Sequence, residues 1–128
     1  MADWSIKIVP APENEVCNGE GAAFQPNIAG YDVGDPLPAQ QADSVSWSNQ
    51  TDDEHQPWPT DANYNPLSEA VVLPRGSANY LSDPIPAGEP STPAYWCAQA
   101  GTVYYFCRLH PNMKCERGSI DVSDQPTS

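Results

Sequence analysis

Proline interrupts this chain so often that its regular structure is limited to short strands joined by long connections. The 128 residues include 15 prolines and 8 glycines, and 39% of them are hydrophobic. Proline lacks the backbone N–H that helix interiors and central strands need. No window shows the i, i+3, i+4, i+7 apolar spacing of an amphipathic helix. Because a chain of this length closes one modest core, we predict a single all-β domain over residues 1–128.

Several short segments have the polar and apolar alternation of strands. We predict strands at Ser5 to Val9, Ser44 to Trp47, Ala94 to Cys97, Thr102 to Cys107 and Ser119 to Val122, with a brief one at Ala70 to Leu73 and one or two irregular ones within residues 13–42. The turn between Cys97 and Thr102 predicts that the strands on either side of it form a hairpin. Alternation then places Cys107 on the core face and Phe106 on the opposite face.

Three donor side chains follow one another within seven residues at the end of the best-defined strand. They are the thiolate of Cys107, the imidazole of His110 and the thioether of Met113. A trigonal set of two His and one Cys with a weak axial Met is the arrangement of an electron-transfer copper site. The loop supplies one His, so the second must come from elsewhere, and the chain has just one other, His55.

Each of these residues has an ordinary interpretation when it is taken alone. His55 could be a surface His, Met113 a filler of a core gap, and Cys107 a small buried side chain. However, the chain has two His in all, and Met113 is its only Met besides Met1. Because both His and the one internal Met fall where a single metal site needs them, we predict one copper ion bound by His55, Cys107, His110 and Met113.

The stretches DSVSWSNQTDDEHQPWP and AGTVYYFCRLHPNM, closed by GSIDV, resemble the cupredoxins, the small blue copper proteins that include plastocyanin, amicyanin and pseudoazurin. The Cys-x2-His-x2-Met spacing is similar to the short ligand loop of amicyanin. The resemblance implies a Greek-key β-sandwich of seven or eight strands with copper at one end. His55, Cys107 and His110 would form the trigonal plane and Met113 the axial contact. The implied activity is single-electron transfer by Cu(II)/Cu(I) cycling.

The same resemblance implies the surroundings of the site. His110 would present its outer edge through an apolar patch of Leu109, Pro111 and Trp58. Phe106 stands where plastocyanin has an exposed aromatic side chain. Two departures from the family pattern are an insertion after Met113, which carries Cys115, and Gln56, which replaces an Asn that helps to tie the ligand loops together.

With Cys107 assigned to the metal, an odd number of cysteines remains, which permits at most one internal disulfide. The cupredoxin resemblance makes Cys97 a buried core side chain and places Cys17 after a first strand that ends near the metal. We therefore predict a Cys17 to Cys115 disulfide and a free Cys97. Four cysteines in a small acidic chain suit an oxidising compartment. We expect a periplasmic or otherwise extracytoplasmic protein whose signal peptide is not part of this sequence.

Strong acidity limits the partners of the protein. Seventeen acidic residues against five Lys plus Arg give a net charge of -12, which argues against nucleic acid or an anionic membrane. Redox partner proteins with a cationic docking face fit better, although solubility alone would explain the same acidity. No run of residues reaches the length of a membrane span, and we expect a monomer.

Other functions of a copper site make demands that this chain does not meet. Copper storage, delivery or sensing is the main alternative, but delivery proteins commonly use Met-rich or paired-Cys ligands. An oxidase or nitrite reductase needs further His ligands for a second copper centre, and a binuclear CuA site needs a second Cys close to the first. The sequence therefore favours a carrier that is not an enzyme. A tetrahedral zinc site built from the cysteines remains a further alternative.

Overall fold

Two four-stranded sheets and one short helix make up the regular structure of the part of the chain that is described. The computed structural model describes residues 3–13, 21–72, 79–113 and 115–124. Its strands are β1 (Asp3–Pro10), β2 (Ala22–Pro26), β3 (Leu37–Gln40), β4 (Ser44–Asn49), β5 (Pro57–Thr60), β6 (Tyr95–Trp96), β7 (Gly101–Cys107) and β8 (Arg117–Ser123). None of the described helices is long and apolar enough to cross a membrane.

The strand order shows how the chain crosses between the sheets. One sheet has the order β2-β1-β4-β6 and the other β3-β8-β7-β5. Two neighbouring pairs, β1 with β4 and β3 with β8, are parallel, and the remaining pairs are antiparallel. Parallel neighbours need crossover connections rather than tight hairpins. The predicted all-β Greek-key sandwich is confirmed, with eight strands in the described residues.

The hairpin predicted between Ala94 to Cys97 and Thr102 to Cys107 is wrong. β6 pairs with β4 in the first sheet, whereas β7 lies between β8 and β5 in the second. Tyr95 and Tyr105 both belong to the same buried core, so the two segments face each other across that core instead of lying side by side. Local alternation identifies a strand but does not determine which sheet it joins.

The short apolar segment at Ala70 to Leu73 does not form the predicted strand. The structure has one helical turn, α1, at Glu69–Val72, and Leu73 lies outside the described residues. The carbonyl of Ser68 accepts the backbone N–H groups of both Val71 and Val72, which starts the turn. In residues 13–42, β2 and β3 account for the irregular strands expected there.

The main core lies between the sheets and leads to the end where Cys107 is located. Tyr105 of β7 is its centre, with its ring edge-on to Phe24 at 4.8 Å and to Trp47 at 5.4 Å between centroids. Cys107, two residues further along β7, is fully buried in the same cluster. The packing of β7 therefore positions the Cys107 thiol at one end of the sandwich.

A second, smaller core covers the outer face of β5 and β7. Trp58 and Phe106 are 3% and 5% exposed and pack there with Val72, Tyr80 and Leu67. Phe106 points away from the main core as predicted, but it is not the exposed aromatic that the family resemblance implied. Residues after β5 fold back over this face and shield it from water.

Candidate metal centre

Backbone contacts tie the two segments that carry the predicted metal ligands. His55 precedes β5 and Cys107 ends β7, and these strands pair with Pro57 opposite Cys107. The Arg108 N–H donates to the Gln56 carbonyl at 2.9 Å. The Gln56 side chain instead donates to the Ser82 carbonyl at 3.1 Å. The link that Asn would supply in the family is thus made here by the main chain, which holds both segments in one register.

Three of the four predicted ligands meet at one point. The Cys107 sulfur lies 3.6 Å from Nδ1 of His55 and 3.4 Å from Nδ1 of His110. Two atoms bound to one metal ion through bonds of about 2.0 to 2.3 Å are separated by about 3 to 4 Å. The spacing of the sulfur and the two nitrogens therefore fits a single ion, and a thiolate with two imidazoles is a donor set that suits copper.

His55 is held firmly in this geometry. Its N–H donates to the Ile85 carbonyl and its carbonyl accepts the Ile85 N–H, at 3.1 and 2.7 Å. Its outer ring nitrogen, Nε2, lies 2.9 Å from the Thr51 hydroxyl, and the side chain is 2% exposed. A partner on the outer nitrogen sets the orientation of a ligating imidazole, so Nδ1 is directed at Cys107.

Glu116 completes the cluster, and the sequence interpretation missed it. Its Oε1 lies 2.8 Å from Nδ1 of His55 and 3.0 Å from Nδ1 of His110. The four donor atoms lie within 4.8 Å of one another. A signal was present: Glu116 extends the three-residue spacing of Cys107, His110 and Met113 by one more step.

Met113, the fourth predicted ligand, lies on the Gly21 side of the site. A Cβ atom added to Gly21 would be 3.3 Å from the Met113 sulfur and 2.8 Å from Oε2 of Glu116. The thioether and the carboxylate thus both reach the space beside Gly21. That Met113 binds the metal stays a prediction.

The pKa of the His55 imidazole depends on its neighbours Cys107 and Glu116. Burial alone would lower the pKa of this imidazole, but the hydrogen bonds and charges of Cys107 and Glu116 together outweigh burial and raise the pKa from 6.5 to about 9. The metal-free site therefore holds a proton on His55 at neutral pH.

We expect the free energy of unfolding of the metal-free protein to fall as the pH rises from 6.5 to 9. The folded pKa of His55 lies above the unfolded value, so this contribution is fully present below pH 6.5 and is lost as the pH passes through 9. Urea denaturation at pH 6, 7.5 and 9 measures it. A metal-free His55→Gln variant is the control and should lose less stability over this interval. Equal losses in both proteins would contradict the assignment.

The cysteines outside the cluster are only partly described. Cys97 and Cys107 are free and buried, as predicted for Cys97. Burial, followed by the charge of Asp43, raises the pKa of the Cys97 thiol to about 11. Cys17 lies outside the described residues, so the Cys17 to Cys115 disulfide stays a prediction.

Thiol counting tests that disulfide. In the copper-loaded native protein we expect no reaction with a thiol reagent at pH 8, because Cys97 is buried and protonated and Cys107 is bound. After denaturation without reductant, two thiols should react, and four should react after reduction. Four reactive thiols before reduction would show that the disulfide is absent.

Comparison with known proteins identifies the fold of the chain. No known protein-family profile matches the chain, and no curated protein matches its sequence. Among solved structures, the chain is similar to a purple cupredoxin from Nitrosopumilus maritimus, with a TM-score of 0.62 and 18% identity over 93% of this chain and 98% of that one. It is also similar to part of a variant of the multicopper oxidase McoA from Aquifex aeolicus, with a TM-score of 0.57 and 15% identity over 96% of this chain and 27% of that one.

A third likeness is to the multicopper oxidase mgLAC, with a TM-score of 0.56 and 18% identity over 98% of this chain and 40% of that one. At these identities the likenesses establish the fold alone. The chain therefore has the cupredoxin fold, and at one end of it His55, Cys107 and His110 form a site that fits a single copper ion.

Proposed function

We propose that this protein binds one copper ion through His55, Cys107, His110 and Met113 and carries single electrons between redox partners. The observation that supports this most directly is the convergence of one cysteine sulfur and two histidine nitrogens, at 3.4 and 3.6 Å. Bound copper would supply a one-electron couple, Cu(II)/Cu(I). The soft thiolate suits Cu(I), and the imidazoles suit Cu(II).

Rigidity of the donors supports electron transfer over storage. His55 is fixed by two backbone bonds and by Thr51, and Cys107 donates its N–H to the Glu116 carbonyl at 2.9 Å. Donors that are held in this way reorganise little when the charge at the site changes, which favours fast and reversible transfer. A storage or delivery site would instead need donors that exchange easily.

His110 is the proposed route for electrons to the surface. Its side chain is 32% exposed, whereas that of His55 is 2% exposed. Leu109 is 41% exposed and Pro111 is also exposed, so apolar side chains flank the accessible imidazole. Trp58, which was predicted to join this patch, is buried, with the Arg108 guanidinium 4.3 Å from its ring centre. The docking patch thus consists of Leu109, Pro111 and the edge of His110.

Net charge supports a cationic partner. With a charge of -12, the protein should attract positively charged molecules and repel negative ones at low salt. Electron exchange with a cationic metal complex should be faster than with an anionic complex of similar potential, and salt should reduce the difference. Equal rates at low salt would remove the support for a cationic docking face.

Copper loading followed by electrochemistry tests the function. We expect an intense visible band, a reversible one-electron couple and fast electron self-exchange. Slow self-exchange, combined with loss of copper to a weak chelator, would favour storage or delivery. A colourless protein that prefers zinc would overturn the copper assignment.

The remaining features of the proposal concern the setting in which the protein works. A Cys17 to Cys115 disulfide would brace the ligand loop and would require an oxidising compartment, so we propose an extracytoplasmic, periplasmic location. We also propose that the protein acts as a monomer and is not an enzyme. Sedimentation of the copper-loaded protein tests the oligomeric state.

A further inference from the structure

We propose that Glu116 is itself a copper ligand, through Oε1, so that this site carries a carboxylate in addition to two His, one Cys and Met113. This inference rests on the proposed copper function. It concerns a residue outside the Cys-x2-His-x2-Met pattern, and it changes the charge and the redox preference of the site.

The side of the imidazoles that Glu116 contacts supports coordination. A residue that only orients a ligating His bonds to the ring nitrogen that faces away from the metal. In His55 that outer position, Nε2, belongs to Thr51 at 2.9 Å. Glu116 instead contacts Nδ1 of both His55 and His110, and these are the nitrogens that face the Cys107 sulfur. The carboxylate therefore lies on the metal side of both rings.

Backbone hydrogen bonds in the loop after Cys107 bring Glu116 back to the site. Backbone N–H groups donate to the carbonyl three residues earlier at each step from Cys107 to His110, Met113 and Glu116, at 3.1 to 3.2 Å. The Cys107 N–H then donates to the Glu116 carbonyl and closes the loop. Four potential donors thus occur at every third residue of one closed loop.

Burial of the carboxylate indicates that a cation belongs beside it. The Glu116 side chain is 1% exposed, and its Oε2 has no hydrogen-bond partner among the described residues. A buried carboxylate is costly unless a positive charge compensates it. In the metal-free protein a protonated His55 supplies that charge at 2.8 Å. In the loaded protein a bound copper ion would take the place of that proton, at the point where Oε1 meets the two imidazoles.

Because residue 21 is a glycine, there is room beside it for the carboxylate of Glu116. A Cβ at this position would lie 2.8 Å from Oε2 of Glu116 and 3.2 Å from Cγ of Met113. The residue also has a φ of +74°, which glycine adopts without strain. Glycine at position 21 thus leaves room beside Glu116 and Met113 that a side chain would otherwise fill.

A carboxylate ligand changes the redox preference of the site. It adds one negative charge beside the metal, and this charge stabilises Cu(II) more than Cu(I). Carboxylate oxygen is also a harder donor than thioether sulfur, which again favours the higher oxidation state. The site should therefore have a lower potential than the same site without the Glu116 charge.

The test is a Glu116→Gln substitution in the full copper-loaded protein. We expect its preference for Cu(I) over Cu(II) to rise at least tenfold, which corresponds to about 59 mV for a one-electron couple. The visible band and the copper hyperfine splitting in the EPR spectrum should change as well. Asp53→Asn is the matched control, because exposed Asp53 lines the open pocket beside His55 without reaching the donor atoms. It should shift the potential far less and leave both spectra unchanged.

A crystal structure of the wild-type copper protein gives a second readout that does not depend on any variant. We expect a Glu116 oxygen within about 2.3 Å of the ion, a typical metal–carboxylate bond length. A coloured, redox-active wild type with Glu116 remote from copper, or with unchanged Glu116→Gln spectra and potential, would overturn the inference and leave the copper function standing. A wild type without a copper band or a reversible couple would instead overturn the function.

Discussion

Copper-loaded Cys107→Ser is expected to lose the intense visible absorption band altogether. The band of such a site arises from charge transfer between a soft thiolate and Cu(II), and a serine hydroxyl is a hard donor that does not supply it. Cys107 is the one cysteine sulfur found next to both Nδ1 atoms among the described residues. Absorption spectra of the two proteins at equal copper content measure the effect.

Cys97→Ala is the control for this substitution. Cys97 is also free and fully buried, but its N–H donates to the carbonyl of Asp43, which directly precedes β4, whereas His55 follows the end of that strand. The band should therefore remain in Cys97→Ala at full intensity. A strongly coloured Cys107→Ser protein, or a colourless Cys97→Ala protein that still binds copper, would refute the ligand assignment.

Gly118→Ala is expected to destabilise the fold by about 3 kcal/mol, at the upper end of the range for overpacked cores. A Cβ at Gly118 would lie 2.5 Å from Cζ and from the hydroxyl oxygen of Tyr105. Tyr105 cannot move aside, because it is 2% exposed and its ring packs against Phe24 and Trp47. Since Tyr105 and Cys107 share β7, the damage should reach the metal site and weaken copper binding too.

Ser119→Ala provides a matched comparison, since it introduces the same side chain one residue later on β8. Ser119 points to the opposite, half-exposed face, where a change of this kind costs less than about 0.5 kcal/mol. Urea denaturation of the metal-free proteins gives both values. If Gly118→Ala were as stable as Ser119→Ala, the close approach of Tyr105 to the β8 backbone would not exist.

Alternation along β7 and β4 predicted the faces of these strands correctly, because side chains in a strand point to opposite sides in turn. The same rule contains no information about partners. The turn between Cys97 and Thr102 suggested a hairpin of β6 and β7, which is wrong because the two strands lie in different sheets. Alternation also placed Phe106 on the outer face of its sheet but could not show that this face is covered. The cover over that face comes from Val72 and Tyr80, which are distant in sequence.

What could be predicted from the amino acids was the all-β class and a short set of candidate metal ligands. Prolines exclude long helices, and two His, one internal Met and a Cys at the end of a strand leave few ways to build a metal site. Glu116 was missed, because among seventeen acidic residues it stands out only through its three-residue step from Met113, and spacing alone does not show that its carboxylate faces the other donors. Only the folded loop, closed by the bond from the Cys107 N–H to the Glu116 carbonyl, buries that carboxylate against His55 and His110. The donors are a property of composition and spacing, whereas their convergence and the charge of the site depend on how β5, β7 and β8 pack.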